Sequence, residues 1–299
     1  MKKPIVKYFC LVKHWIAAFR LKTLPLALGA IILGSALQLA YFSWVIFGLA
    51  AFTAILLQVL SNLANDYGDF VKGTDKHRAD RQLAGGHITP QAMLFAIVLF
   101  CLLALVSGIL LLNFSFGTSW KYWLQFFGIG VASIIAAITY TVGKKAYGYN
   151  GLGDVFVFIF FGLVGVLGTS FLFHQELSGA LSLPAIAYGC LCMGVLNVNN
   201  IRDLDKDILT NKITLAAKLG RSGALCYQHI LLGVALVSFV AHHYLINEWS
   251  LAPLLLAIAG IIHHKKMSMA ETSEDYNAQL KFLSIASLVV ALVFIFKIA

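Results

Sequence analysis

The sequence predicts an all-α fold, a polytopic membrane helical bundle of about nine transmembrane helices around a central cavity. Three observations predict it. Sixty per cent of the 299 residues are hydrophobic and only 12% are charged, with a mean hydropathy of +0.85, more apolar surface than one water-soluble core can bury. The apolar residues fall in long runs. The basic residues fall almost entirely in alternate gaps between those runs.

A bilayer span needs about 20 apolar residues, and nine runs approach that length: roughly 16–40, 44–64, 91–113, 122–142, 152–173, 182–199, 223–243, 250–264 and 281–298. The eighth is the shortest. Rich in Leu, Ile, Phe and Ala, they read as helices, because a chain in hydrocarbon must satisfy its backbone hydrogen bonds within the segment. A membrane barrel would show short alternating segments instead.

Orientation follows from Lys and Arg. Twenty of the 22 lie before or at the first run or after the second, fourth, sixth and eighth, leaving only Lys121 and Lys297 on the other side. The positive-inside rule therefore expects a cytoplasmic N-terminus and an external C-terminus, as in a multi-pass protein of the bacterial cytoplasmic (inner) membrane. The net charge of +9 is a topology signal and calls for no nucleic-acid partner. No small-residue cleavage site follows the basic start, so the first run is expected to remain as a span. The scattered cysteines Cys10, Cys101, Cys190, Cys192 and Cys226 read as buried structural thiols.

No linker interrupts the runs, so residues 1–299 are expected to form a single domain. Spans two and six both end in Asn-rich acidic segments, with Asp66 and Asp203 separated by 137 residues, which suggests a weak internal repeat of spans 1–4 and 5–8. Seven of the thirteen acids lie in these two segments: Asn65-Asp66-Tyr67-Gly68-Asp69 running on to Asp75 and Asp80, and Asn199-Asn200-Ile201-Arg202-Asp203-Leu204-Asp205-Lys206-Asp207. The outer connections 40–44 and 114–121 hold none, so function is expected on the cytoplasmic side. Loop 143–151, with Tyr147 and Tyr149 among its glycines, is a third candidate wall.

Asp66 and Asp69 are three apart and Asp203 and Asp207 four apart, so on a helix each pair is expected on one side. Like charges at that spacing repel unless a cation lies between them, and Mg²⁺ is typically held by one or two carboxylates plus phosphates and water. Asp66, Asp69, Asp203 and Asp207, with Asp75 completing the first set, are the expected metal and catalytic acids, suited to two Mg²⁺ ions bridging one diphosphate. Asp205 points away and reads as a solvated acid. Arg78, Arg81 and Arg202 offer fork donors to phosphate, Lys72 and Lys212 stand nearby, and the amides of Asn65, Asn199 and Asn200 orient water or accept metal. Interfacial anchoring is the competing reading for each charge. The paired histidines His242-His243 and His263-His264 read as interfacial.

These segments closely resemble the two aspartate-rich motifs of the UbiA superfamily of intramembrane prenyltransferases, most like its MenA branch. Arg20-Leu21-Lys22-Thr23-Leu24-Pro25, Tyr147-Gly148-Tyr149-Asn150-Gly151-Leu152-Gly153-Asp154 and Lys212-Ile213-Thr214-Leu215-Ala216 are similar to further stretches of that branch. The resemblance implies Mg²⁺-dependent transfer of a chain from polyprenyl diphosphate to 1,4-dihydroxy-2-naphthoate with loss of carbon dioxide and diphosphate, in menaquinone synthesis. It implies that Arg20, Lys22 or Lys145 receives the acceptor's carboxylate. An allylic cation would need electron-rich rings, for which Tyr140, Tyr149 and Phe161 are candidates beside a packing role. Two alternatives stay open: a 4-hydroxybenzoate prenyltransferase of the same superfamily, and a cation transporter, whose acids belong at mid-membrane. Chain length of the isoprenoid and oligomeric state are not legible.

Overall fold

The computed structural model describes residues 4–75 and 81–298, and side chains for residues 12–75 and 81–296. Eleven helices follow in order: α1 (Pro4–Phe19), α2 (Leu24–Ala36), α3 (Trp44–Lys72), α4 (Pro90–Phe116), α5 (Trp120–Thr139), α6 (Gly153–Phe173), α7 (Ser182–Arg202), α8 (Leu204–Leu209), α9 (Leu215–Ile246), α10 (Ala252–Ser268) and α11 (Ser273–Val293). Local chemistry sets the ends. The hydroxyls of Ser43, Thr89, Thr214 and Thr272 cap α3, α4, α9 and α11, each satisfying an otherwise unpaired backbone N–H. Gly73, at φ 75°, closes α3 in the left-handed conformation a side chain disfavours.

Among the described residues, eight stretches are helical, long and apolar enough to cross a bilayer, from Val12–Ala36 to Ser273–Val293. The protein is a multi-pass membrane protein. The short eighth run forms α10, 17 residues or about 26 Å at 1.5 Å per residue, just under a full span. Large apolar side chains such as Phe95, Leu102, Leu124, Val237 and Ile261 are exposed around the perimeter, where lipid tails replace water. A two-residue ribbon pairs Trp249–Ser250 with Lys297–Ile298 and ties the end of the chain to the α9–α10 connection.

Helix α7 is the most buried element, packed against α6, α9 and α11. It meets α6 at a glycine pair: a Cβ on Gly162 would stand 2.7 Å from the Ala185 carbonyl and 3.0 Å from the Gly189 Cα. Small residues permit this approach where no hydrophobic effect drives helices together. The middle of α6, Phe158–Gly168, is π-helical, a rare geometry. The Tyr188 hydroxyl donates to the Leu26 carbonyl at 3.0 Å and fastens α7 to α2. On the other side α3 packs on α4, α2 and α5.

Candidate active site

With 29 residues, α3 extends about 43 Å, longer than the roughly 30 Å hydrocarbon core, so its last turns, Asn65 to Lys72, emerge at the membrane boundary. Gln58, Asn62, Asn65 and Asp69 recur at helical spacing along one face and line a cavity of about 410 Å³. The Asn62 amide donates to the Phe19 carbonyl and the Thr23 hydroxyl. The Arg20 guanidinium donates to Asn65 Oδ1 at 2.7 Å. Arg20 itself sits at φ 50°, ψ 57° between α1 and α2, an uncommon conformation for a non-glycine residue that ends α1 where its side chain meets the cavity.

Asn199, Asp203 and Asp207 face the same cavity from α7 and α8, joined by Lys206, Thr210 and Lys212. Asp203 ends α7 with both carboxylate oxygens held by Arg202, Nε to Oδ1 at 3.0 Å and Nη2 to Oδ2 at 2.6 Å. The same guanidinium donates to Asn199 Oδ1 and Asn277 Oδ1. Burial pushes the Asp207 carboxyl up to about 6, opposed by Lys212 and assisted by Asp203. Asp75 and Arg81, 3.3 Å apart, complete the rim.

Away from this polar end the cavity is apolar. Leu26, Ala30 and Ile31 of α2, Ile109 and Leu112 of α4, Phe127 and Ile134 of α5, and Phe160, Phe161 and Val164 of α6 wall it. Tyr140, Tyr147 and Phe156 stand between the two zones, with Tyr147 and Phe156 stacked at 3.9 Å.

Of the residues singled out from sequence, the structure brings Arg20, Asn65, Asp69, Asp75, Arg81, Tyr140, Asn199, Asp203 and Asp207 to this cavity. It does not bring Asp66 there. The cavity stripe runs 58-62-65-69, and residue 66 is turned about 100° from Asn65. Its carboxylate is 2% exposed, faces the Gln82 and Leu83 backbone with Arg20 nearby, and has no hydrogen-bond partner among the described residues. Asn200 is buried on the far side of α7 from Asn199. Lys22 and Lys145 are exposed and off the cavity, and Arg202 stands behind Asp203 rather than inside. Arg78 lies outside the described residues. Asp205 is exposed and pairs with Arg221 at 3.4 Å.

Tyr149 also lies outside the lining and takes a different position. Its hydroxyl donates to Asp69 Oδ1 at 2.7 Å and lies 2.5 Å from the Thr74 hydroxyl. Lys72 Nζ sits 3.8 Å over its ring and Lys212 Nζ 5.3 Å away. Lys212 also reaches Asp69 Oδ2 at 4.0 Å, and the Ile213 N–H donates to the Tyr149 carbonyl. Partial burial and the Asp69 carboxylate push this phenol well above its ordinary range, so it stays a donor. One tyrosine thus joins the ends of both acidic segments. Sequence reasoning missed Thr74, Lys206 and this latch; the 58-62-65-69 polar stripe was the one available signal for the cavity face.

The histidines depart from the interfacial expectation. His242, His243 and His263 are buried, the last between Gln228 and Gln279. Among the described cysteines Cys190 and Cys192 are buried, whereas Cys226 is exposed.

A helical membrane bundle with oxygen ligands and cations at the head of a deep apolar cavity defines an intramembrane protein built to receive one molecule with a polyanionic head and a hydrocarbon tail. Residues 23–288 match the UbiA prenyltransferase family. The chain is 43% identical over 267 residues to the 1,4-dihydroxy-2-naphthoate octaprenyltransferase of Escherichia coli (strain K12), covering 86% of this chain and 85% of that protein. It is 42% identical over 236 residues to the protein of the same name from Haemophilus influenzae, covering 77% and 76%. In fold it is similar to a UbiA homolog from Archaeoglobus fulgidus bound to GPP and Mg²⁺, at a TM-score of 0.62 and 13% identity over 92% of this chain and 98% of that one. An apo UbiA homolog from Aeropyrum pernix K1 superimposes with a TM-score of 0.65 at 16% identity, over 92% and 96%. The chain belongs to the UbiA prenyltransferase family.

Proposed function

We propose that this protein transfers a polyprenyl chain from polyprenyl diphosphate to 1,4-dihydroxy-2-naphthoate, releasing carbon dioxide and diphosphate and giving demethylmenaquinol for menaquinone synthesis. What supports the donor is the division of the cavity: acids, amides and cations at one end and hydrocarbon walls beyond. The choice of acceptor is supported by 42–43% identity to proteins that carry that activity in their names.

Mg²⁺ fits the residues present. The polar end offers hard oxygen donors only, Asp69, Asp75, Asp203, Asp207, Asn65 and Asn199. Among the described residues no three acids converge into a closed cage, the arrangement of a site whose coordination is completed by substrate phosphates and water. Bound there, Mg²⁺ would neutralise charge growing on the departing diphosphate; two ions, one per segment, match the two acid sets.

The protein's own groups do the rest. Arg202 holds Asp203 in one orientation and Tyr149 holds Asp69, so both carboxylates are set before substrate arrives. Lys206, Lys212 and Arg20 place positive charge at the diphosphate end. Tyr140, Tyr147, Phe156 and Phe161 exclude water and present π faces where the allylic carbon becomes cationic. The naphthoate ring attacks that carbon through the position bearing its carboxylate, and loss of carbon dioxide restores aromaticity. Arg20 is the cavity-lining cation of the three expected to receive that carboxylate. The active mouth is cytoplasmic in an inner-membrane, N-in topology, supported by the Lys and Arg distribution. Residues 1–299 act as one catalytic domain of two related halves, supported by the matching positions of the acidic segments after α3 and α7.

Carboxyl-labelled 1,4-dihydroxy-2-naphthoate, Mg²⁺ and an octaprenyl diphosphate should give labelled carbon dioxide in step with diphosphate, and chelation should stop both. Consumption of 4-hydroxybenzoate with its label kept in the lipid product would overturn the acceptor and leave the family intact.

A further inference from the structure

A second cavity, of about 210 Å³, lies at the opposite end of the bundle. Leu37, Leu181, Ile246 and Phe294 make it apolar, and His242 and His243 bring it imidazoles. Helix α9 runs from Leu215, beside the acidic segments, to His242 over 27 residues, roughly 40 Å at 1.5 Å per residue, so this cavity takes no part in prenyl transfer.

Hydrogen bonding decides what the two rings offer. His243 Nδ1 lies 2.6 Å from the Glu248 backbone carbonyl and its Nε2 3.0 Å from the Ser250 hydroxyl. A carbonyl only accepts, so Nδ1 carries the proton, Nε2 accepts from the serine, and the ring is satisfied as a neutral group. His242 Nδ1 is likewise 2.9 Å from a backbone carbonyl, that of Ala180, which places its proton on Nδ1 and leaves Nε2 as an acceptor. This ring is 1% exposed, and its Nε2 is buried with no hydrogen-bond partner. An unmatched buried acceptor costs about 1–3 kcal/mol, which a donor supplied by a ligand would recover.

We propose that this cavity binds a neutral molecule that presents a hydroxyl donor to His242 Nε2 and an apolar body to the surrounding side chains. Its volume is below the roughly 300–1,000 Å³ of sites for larger ligands, which suits one or two rings or the glycerol end of a lipid. An anion finds a lone pair where it needs a donor. An acceptor-only molecule leaves Nε2 unmatched. The hydroxyl can come from a free phenol-type compound or from a lipid headgroup.

Trp249 stacks near His243 with ring centroids 5.8 Å apart, which provides a reporter. The protein in phosphatidylcholine nanodiscs is titrated with 1-naphthol, and the signal is taken as wild-type fluorescence minus that of Trp249→Phe. Saturable quenching is expected, at least about tenfold weaker with 1-methoxynaphthalene, which accepts but cannot donate; tenfold is 1.4 kcal/mol. His242→Phe should abolish the difference between the two ligands, and the wild-type ligand pair stands as the test if that variant fails to fold. In nanodiscs of phosphatidylglycerol, whose headgroup carries free hydroxyls, weakened naphthol binding identifies the lipid as the occupant, and unchanged binding identifies a free hydroxylated ring compound. Equal affinity for the two naphthalenes, or no saturable quenching, would overturn the proposal.

Discussion

Tyr149 shows how one side chain couples segments far apart in sequence. Its hydroxyl holds Asp69, its ring lies beneath Lys72, and its backbone carbonyl accepts from Ile213 beyond the second acidic segment. Tyr149→Phe removes the donor and leaves a buried carboxylate oxygen short of a hydrogen bond, a loss of about 1–3 kcal/mol. The expected outcome is a kcat lowered about tenfold or more and a raised Mg²⁺ requirement, with the acceptor's KM unchanged; steady-state kinetics across Mg²⁺ concentrations check it. A change confined to the acceptor's KM would instead make Tyr149 an acceptor contact. Asp207 gives a pH signature. Its carboxyl, at about 6, is raised above the ordinary value of 3.8, so between those two values the folded protein binds more protons than the unfolded chain and stability falls as pH rises. Asp207→Asn should therefore raise the Tm at pH 7.5, by the equivalent of about 1–3 kcal/mol, and flatten the loss of stability between pH 4 and 6, while abolishing turnover. Thermal unfolding of the metal-free protein in detergent at several pH values measures this; a variant less stable than wild type at pH 7.5 would contradict it.

At the scale of elements, the contact between α6 and α7 depends on two residues without side chains. Gly162→Ala places a methyl 2.7 Å from the Ala185 carbonyl, and because that obstacle is backbone, the helices must separate. A cost of about 1–3 kcal/mol is expected from overpacking, together with loss of activity as the cavity-lining turns of α6 move. Gly48→Ala on α3 is the control, since nothing lies within 4 Å of its added Cβ and alanine favours the helix. Comparing the Tm and turnover of both variants tests the glycine contact. Helix phase also decided the acids. A spacing of three suggested that Asp66 and Asp69 share a face, yet the face in use runs through Asn62, Asn65 and Asp69. Only knowledge of which side of α3 packs on α2 and α5 could choose between the two phases. The latch by Tyr149 had no sequence signal, because a loop's approach to a helix end depends on α5 and α6 being placed first.

Across the whole molecule, the charge asymmetry predicts which side each loop faces. In a cysteine-free background, a cysteine replacing exposed Lys144 should react with an impermeant maleimide only from the cytoplasm. One replacing Thr118 in the α4–α5 connection should react only from outside. Labelling of both from the same side would break the alternation on which the N-in topology rests. Composition and periodicity alone determined that the chain crosses a membrane many times as helices, because hydrocarbon leaves a backbone few other ways to satisfy its hydrogen bonds. They also located the two acidic segments at helix ends on one side, since polar residues cannot stay inside long apolar runs without cost. The tertiary structure alone decided that Asp66 turns away while Asn65 and Asp69 face the cavity, that Arg202 and Tyr149 serve as orienting partners, and that His242 is buried at a second hollow at the far end. Those outcomes depend on the rotation of each helix against its neighbours, a quantity set by contacts between residues tens or hundreds of positions apart and therefore absent from any local stretch of sequence.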